Sequence, residues 1–342
     1  MKILAAHPGP NFSVHDVYVG WVEALRELGQ QVIEFNLAER LTFYDAALLE
    51  THDKQILKAV STEQAQQLAV NGLYAALYKT RPDVLFAVSA FFYTPELLDL
   101  ARSYGTKVVL LHTESPYEDG RQLTIAAHAD LNLINDPTNI DDFRRVAPTV
   151  YVPHSYRPTI HHPGPGAPDL AADLAFVGTG YASRIAFLEE MDLSGLDVLL
   201  AGNWQQLDED SPLRAAVAHE PDECLDNEQT AQVYRSAAVG LNLYRREAEA
   251  AHLAAGWAMG PREVEMAACG MFFLRDPRPE GDDVLPMLPT FTTVEGASEQ
   301  LHYWLGHPAE RQELAAQARM AIADRTFVNR AAELMQLLST KE

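Results

Sequence analysis

Two runs of strand–helix alternation, separated by a break dense in proline and glycine, restrict the fold of this chain more than any other feature. Short apolar stretches at 2–6, 31–35, 83–88, 107–111, 130–134 and 149–152 alternate with segments of helical period at 15–28, a long stretch ending near 79, 94–104 and 138–145. Buried strands separated by helices belong in parallel sheets, because a parallel pair needs a crossover too long for a tight turn. The alternation stops at Val152-Pro153-His154-Ser155-Tyr156-Arg157-Pro158 and His161-His162-Pro163-Gly164-Pro165-Gly166, where neither helix nor strand can continue. It resumes with strands expected at 173–177, 197–201, 239–243 and 271–274, and helices at 182–191, 228–236, 261–268, 297–305, 308–323 and 327–338. This predicts an α/β chain with one domain at 1–155, a linker at 156–170, a second domain at 171–325 and a C-terminal helix at 326–342. A length of 342 residues suits two domains. Ligands of open α/β sheets bind at the carboxyl ends of the strands, so a cleft between two such sheets is the expected site.

Charge bears on partners. Lys+Arg number 26 and Asp+Glu 48, a net of −22, and residues 156–342 carry −15 of it (14 basic, 29 acidic). Both halves repel polyanions at long range, which disfavours a dedicated binder of nucleic acid or of an anionic membrane. Cys224 and Cys269 are too few for a disulfide framework or a metal cluster. The apolar run at the start is too short for a signal peptide, and no stretch approaches the ~18 apolar residues of a membrane span. A cytoplasmic protein is expected.

The strongest local signal is Asp173-Leu174-Ala175-Phe176-Val177-Gly178-Thr179-Gly180-Tyr181-Ala182-Ser183-Arg184, a buried strand entering a Gly-x-Gly turn and then a helix. Such a turn offers free N–H groups and a positive dipole end to a phosphate, and Arg184 adds a guanidinium suited to it. Strand–helix packing alone also calls for glycine there, so both readings stand. A dinucleotide site is disfavoured, since the strand at 197–201 ends in Gly202-Asn203-Trp204 without the acidic residue a ribose needs, and Ser183 replaces the third glycine. The first strand opens onto His7-Pro8-Gly9-Pro10-Asn11-Phe12-Ser13-Val14-His15-Asp16. Here Gly9 and Ser13 are placed to cradle an anion, and His15 with Asp16 to act as a base on a hydroxyl; helix capping and dipole complementation account for the same residues.

A second pattern, Met259-Gly260-Pro261-Arg262-Glu263-Val264-Glu265-Met266-Ala267-Ala268-Cys269-Gly270, reads as a glycine turn, a helix and a Cys-Gly stop before a buried strand. Glu263 and Glu265 either cap the first turn or, as carboxylates, accept the hydroxyls of a ribose. With Phe176-Val177-Gly178…Arg184, Val152-Pro153-His154-Ser155-Tyr156…His162-Pro163, Gly240-Leu241-Asn242-Leu243 and Phe327…Arg330, it resembles the CgeB-like branch (glycosyl transferases group 1) of the GT-B fold glycosyltransferases over most of the chain. The resemblance implies two Rossmann-like domains facing across a cleft, the first for acceptor and the second for a nucleotide-sugar donor, with the C-terminal helix packing back on the first. It implies donor ribose at Glu265, donor diphosphate at Gly178, Gly180 and Arg184, a second cation at Arg262, the transferred sugar near His112, and Gly9 and Ser13 facing the donor. One departure stands out: Trp257 occupies the place, eight residues before Glu265, where related retaining enzymes carry another glutamate. Stereochemistry is therefore open, with His15 or Asp16 as the base in an inverting reaction.

The expected activity is transfer of a hexose from a nucleotide-diphosphate sugar, uridine-linked, to a hydroxyl, with no cofactor and no obligatory metal. Alternatives on the same scaffold are a nucleotide-sugar epimerase or hydrolase, and a non-catalytic assembly protein. Protein, small-molecule and glycan acceptors all fit, whereas a modified DNA base would need a basic face such as Lys54, Lys58, Lys79 and Arg81. The Asp208-Glu209-Asp210 triplet resembles a metal-binding signature but falls in a polar loop of an acidic chain, and His161-His162 lacks partners at ligand spacing.

Overall fold

The computed structural model describes residues 1–9, 12–46, 48–50, 56–58, 60–248 and 250–339, without the side chains of 12, 13, 48–50, 56, 58, 251 and 252. The chain divides into two compact units, one of Met1–Val152 with Ala331–Glu342 and one of Pro153–Arg330.

In the first unit the elements run β1 (Lys2–Ala6), α1 (Phe12–Glu27), β2 (Gln31–Phe35), α2 (Leu37–Asp45), β3 (Leu48–Glu50), β4 (Ile56–Lys58), α3 (Thr62–Thr80), β5 (Val84–Val88), α4 (Pro95–Ser103), β6 (Lys107–His112), α5 (Asp119–Ala126), β7 (Leu131–Ile134), α6 (Ile140–Val146) and β8 (Thr149–Tyr151). Six strands pair in parallel in the order β2-β1-β5-β6-β7-β8. The central strands are apolar on both faces because helices cover both, and Leu4, Leu85 and Leu110 join Phe35, Leu73 and Leu98 in one core. The long helix expected to end near 79 proves to be α2, the antiparallel hairpin β3–β4 and α3. Ser61 restarts the helix with a capping box, accepting the Gln64 N–H while the Gln64 side chain takes the Ser61 N–H.

The second unit runs β9 (Ala172–Val177), α7 (Ala182–Glu190), β10 (Val198–Ala201), α8 (Asn227–Ser236), β11 (Ala237–Asn242), α9 (Pro261–Cys269), β12 (Phe273–Arg275), α10 (Pro279–Val284), α11 (Val294–Leu305), α12 (Pro308–Ala321) and the start of α13 (Phe327–Ser339). Its four strands are parallel in the order β10-β9-β11-β12. The last residues of α13 belong to the first unit, where Lys107 Nζ donates to the Leu338 carbonyl at 3.4 Å.

The proline- and glycine-rich segment at 156–170 packs on the second unit. Tyr156 exchanges backbone hydrogen bonds with Arg325 and Phe327 at 3.0 and 3.3 Å. His161 is buried, its Nε2 3.0 Å from Asn227 Oδ1, and Arg235 Nη1 donates to the carbonyls of Ile160 and His162. Proline and glycine end regular structure there, but Tyr156, Ile160 and His161 between them still have surface to bury.

Close backbone approach fixes the end of β9. Gly178 N–H donates to the Ala201 carbonyl at 2.8 Å and Gly180 N–H to that of Asn203 at 2.7 Å. Gly202, at φ +116°, lies so near that a Cβ on it would stand 2.3 Å from the Gly178 carbonyl oxygen. Gly195, at φ +76°, has nothing within 4 Å of the same position. Gly202→Ala is therefore expected to cost roughly 2–4 kcal/mol in urea denaturation and Gly195→Ala roughly 1 kcal/mol, since only the first adds a backbone clash to the strain. Equal losses would contradict this account of the turn.

Candidate functional site

Each sheet has one place where successive connections leave in opposite directions along the strand order, and a crevice opens there at the carboxyl ends. In the first unit it lies between β1 and β5. Beyond β1 comes His7, buried among its neighbours, whose Nδ1 accepts the Gly9 N–H at 3.1 Å. That bond puts the proton of the neutral ring on Nε2, which then donates to His15 Nδ1 at 2.9 Å. His15 consequently carries its proton on Nε2 as a hydrogen-bond donor, so the base role expected of it requires breaking the His7 bond. Asp16 follows on α1. Tyr93 donates its hydroxyl proton to the His7 carbonyl at 2.7 Å, and Gly9 sits where a Cβ would meet the Phe92 ring at 2.6 Å. Beyond β5, Ser89 adopts φ +46°, a strained value for serine, and its hydroxyl touches that of Thr113.

The other site residues expected in this unit fall differently. Ser13 lies in α1 and its side chain is outside the described residues, as is Asn11. His112 ends β6 as a core residue, 1% exposed, with Nε2 2.8 Å from Asn132 Oδ1 and its ring against Phe143. Burial pulls its pKa down to about 4, and burial with the neighbouring His15 does the same for His7. Both imidazoles are neutral at physiological pH. Of the proposed basic face, Lys54 and the Lys58 side chain lie outside the described residues, and Arg81 stacks on Tyr78 and Tyr104.

In the second unit the crevice lies between β9 and β11, where Gly178 and Gly180 stand. Their amides are already spent on the β10 exit, so the glycines serve close packing first, and the opening of α7 is the part of the turn that meets an anion. One is present there. The Glu247 carboxylate accepts the Ser183 N–H and the Ser183 hydroxyl, each at 3.0 Å, and these bonds hold its pKa below the ordinary value against the opposing effect of burial. Arg184 donates to the Thr179 carbonyl at 3.0 Å and lies over the rings of Phe176 and Tyr181. It borders a cavity of about 60 Å³ lined also by Ser183, Phe187, Tyr244 and an ion pair of Arg246 with Asp276 at 2.7 Å.

Arg262 and Glu265 meet one turn apart on α9, Nη1 to Oε2 at 2.6 Å, with Glu265 mostly buried. Glu263, two residues before Glu265, points to the opposite face, as helical geometry requires. It caps the first turn by accepting the Gly260 N–H at 2.9 Å. The structure thus gathers Gly178, Gly180 and Arg184 with Ser183, Tyr244 and Glu247, and pairs Arg262 with Glu265 on α9. Sequence reasoning passed over His7, Ser89, Tyr244 and Glu247. His7 had a signal, a histidine at a strand end eight residues before another; Glu247 had none, because its partner is 64 residues away. Asp208, Glu209 and Asp210 are exposed, and among the described residues no group of three or more His, Cys, Asp and Glu could hold a metal ion.

Residues 184–336 match the family model described as "Glycosyl transferase-like". The whole chain is similar in structure to a sucrose-phosphate synthase from Thermosynechococcus elongatus, with TM-score 0.66, 14% identity and 99% of each chain covered. It is similar also to the E. coli trehalose-6-phosphate structure bound with UDP-2-fluoro glucose (TM-score 0.65, 12% identity, 100% of each chain). A third likeness is to the glycosyltransferase SnogD from Streptomyces nogalater (TM-score 0.52, 14% identity, 98% of this chain and 99% of that one). No curated protein matches the chain by sequence. The fold is that of the GT-B glycosyltransferases, and residues 184–336 are similar to the glycosyl transferase-like family.

The two buried histidines predict an acid-sensitive first unit. Each binds its proton less readily folded than unfolded, so the stability it confers is complete above the ordinary histidine pKa of 6.5 and is lost as pH falls towards 4. At full protonation each costs on the order of 3 kcal/mol. Denaturation at a series of pH values should show His112→Gln with a shallower loss on acidification than the wild type; equal slopes would sink the assignment.

Proposed function

We propose that the chain is a cytoplasmic glycosyltransferase of the CgeB-like branch that moves a hexose from a UDP-linked donor to a hydroxyl acceptor without an obligatory metal. The observation that carries the reading is the start of α7, where a carboxylate with two hydrogen-bonded oxygens already sits on Ser183 beside Arg184. A donor phosphate presents the same pair of oxygens with more charge. The glycosyl transferase-like match that begins at Arg184 and the UDP-sugar named in a structural relative support the donor class. No described helix is long and apolar enough to cross a membrane, and Cys224 and Cys269 are unpaired, which suits a reducing compartment.

In this reading the acceptor hydroxyl attacks the anomeric carbon as its bond to the diphosphate breaks, and the negative charge grows on the leaving oxygen. Arg184, Arg262 and the positive helix ends of α7 and α9 stabilise that charge, the task a metal performs elsewhere. Glu265 takes the ribose hydroxyls, for which its bond to Arg262 must open or be shared. Gly9, Ser13, His15 and Asp16 are assigned to the sugar and acceptor, whereas His112, buried against Asn132 and Phe143, serves the core. With His15 presenting an N–H, Asp16 is the better base for an inverting reaction, and His15 a donor to a sugar oxygen.

UDP-glucose at a hundred times its dissociation constant is expected to stabilise the protein by about 2.7 kcal/mol, read as a rise in Tm. Glu265→Ala should abolish that rise, Glu247→Gln should enlarge it by removing the competing carboxylate, and EDTA should leave it unchanged. The reading falls if no nucleotide sugar stabilises the wild type. Epimerised or released sugar from donor alone would replace transfer by epimerase or hydrolase chemistry, for which the missing glutamate at Trp257 leaves room.

A further inference from the structure

Beyond the donor contacts, the exits of β11 and β12 enclose a buried ionisable cluster to which the proposed reaction assigns no role. Its centre is Glu263, which has no exposed surface. Its Oε2 accepts the Gly260 N–H at 2.9 Å and the Tyr244 hydroxyl, and Gly260 N is also 3.2 Å from that hydroxyl. This clamp ties the first turn of α9 to the segment leaving β11. The other oxygen, Oε1, makes no hydrogen bond, and neither does Nη1 of Arg275, a residue 2% exposed. Both border the space above Gly281, where a Cβ would stand 2.8 Å from Arg275 Nη1 and 3.5 Å from Glu263 Oε1.

The groups facing Glu263 come from every neighbouring element. Tyr244 lies beyond β11, Arg275 on β12, and Glu280 on α10. Asp282, also on α10, holds Arg275 Nη2 at 2.8 Å, and Arg278 covers the Tyr244 ring. Glu280 is itself bound, accepting the Met259 N–H at 2.7 Å and pairing with Arg325 at 2.8 Å. Burial drives the Glu263 carboxyl up to about 7, with Glu280 adding to the effect and Tyr244, the Gly260 amide and Arg275 opposing it. Near neutral pH both protonation states are populated. The ionised state places a buried, poorly screened negative charge in the first turn of α9, where the helix dipole and Arg262 otherwise supply positive potential.

We propose that Glu263 is a proton-linked positioning residue: neutral, it leaves the positive end of α9 to an anionic donor, and ionised, it cancels that potential. The inference rests on the donor reading above and extends it, since Glu263 itself faces Tyr244 and Arg275.

The test uses UDP-glucose, whose diphosphate diester has no proton to lose near neutrality, titrated into the full chain by calorimetry from about pH 5.5 to 8.5. Wild-type affinity should weaken about fivefold as pH rises through the midpoint, at the low end of linkage effects. Glu263→Gln should hold the low-pH affinity throughout. Tyr244→Phe removes a hydrogen bond that favours the ionised carboxylate and should move the midpoint upward. Identical profiles for wild type and Glu263→Gln overturn this proposal and leave the donor reading standing, whereas no binding by either protein at any pH overturns both. Should circular dichroism show Glu263→Gln unfolded, Tyr244→Phe decides: an unmoved midpoint overturns the proposal.

Discussion

Parallel strand pairing is the constraint from which the rest of this structure follows. No tight turn can join two parallel neighbours, so every connection in both sheets crosses over through a helix and returns the chain to the same edge. All the strand exits of a sheet therefore open at one end. Where the order reverses, between β1 and β5 and again between β9 and β11, successive connections leave to opposite sides and a crevice opens. The glycine-bearing turns at residues 7–9 and 178–180 stand at those two gaps.

What fills the gaps is decided by competition for the same polar groups. At β9 the amides of Gly178 and Gly180 are taken by the β10 exit, so an anion must use the start of α7, and there Glu247 is already in place. At β1 the Gly9 amide fixes the His7 tautomer, which fixes that of His15 in turn. In both crevices a backbone hydrogen bond thus sets the chemistry of a side chain several residues away. The net charge of −22 acquires a local meaning by the same route. An acidic unit receives an anion only where arginines and helix ends outweigh the distant field, and a single carboxylate such as Glu247 or Glu263 shifts that balance.

Much of the fold was legible because its signals are short-range. Apolar runs at 2–6, 31–35 and 107–111 gave strands almost to the residue, and the Gly-Pro entry and Cys-Gly exit bracketed α9. The misread stretch before residue 79 contains α2 and the hairpin β3–β4, short elements that no long periodic pattern announces. The site was legible in its residue types and not in their partners. Arg262 and Glu265 could be paired from sequence by their spacing of three, whereas Glu263 and Tyr244 are 19 residues apart and meet only because β11 and α9 converge.

The sequence alone determined that two α/β units exist, which segments are strands, and where glycines would turn the chain at strand ends, because periodicity and backbone freedom are properties of neighbouring residues. The tertiary structure decided which polar groups remain for a ligand. It made His112 a neutral core residue, spent the glycine amides on packing, put a carboxylate on α7 and raised Glu263 into the neutral pH range. Each of these outcomes depends on burial and on partners distant in sequence, and desolvation acts only once the chain has closed around the group.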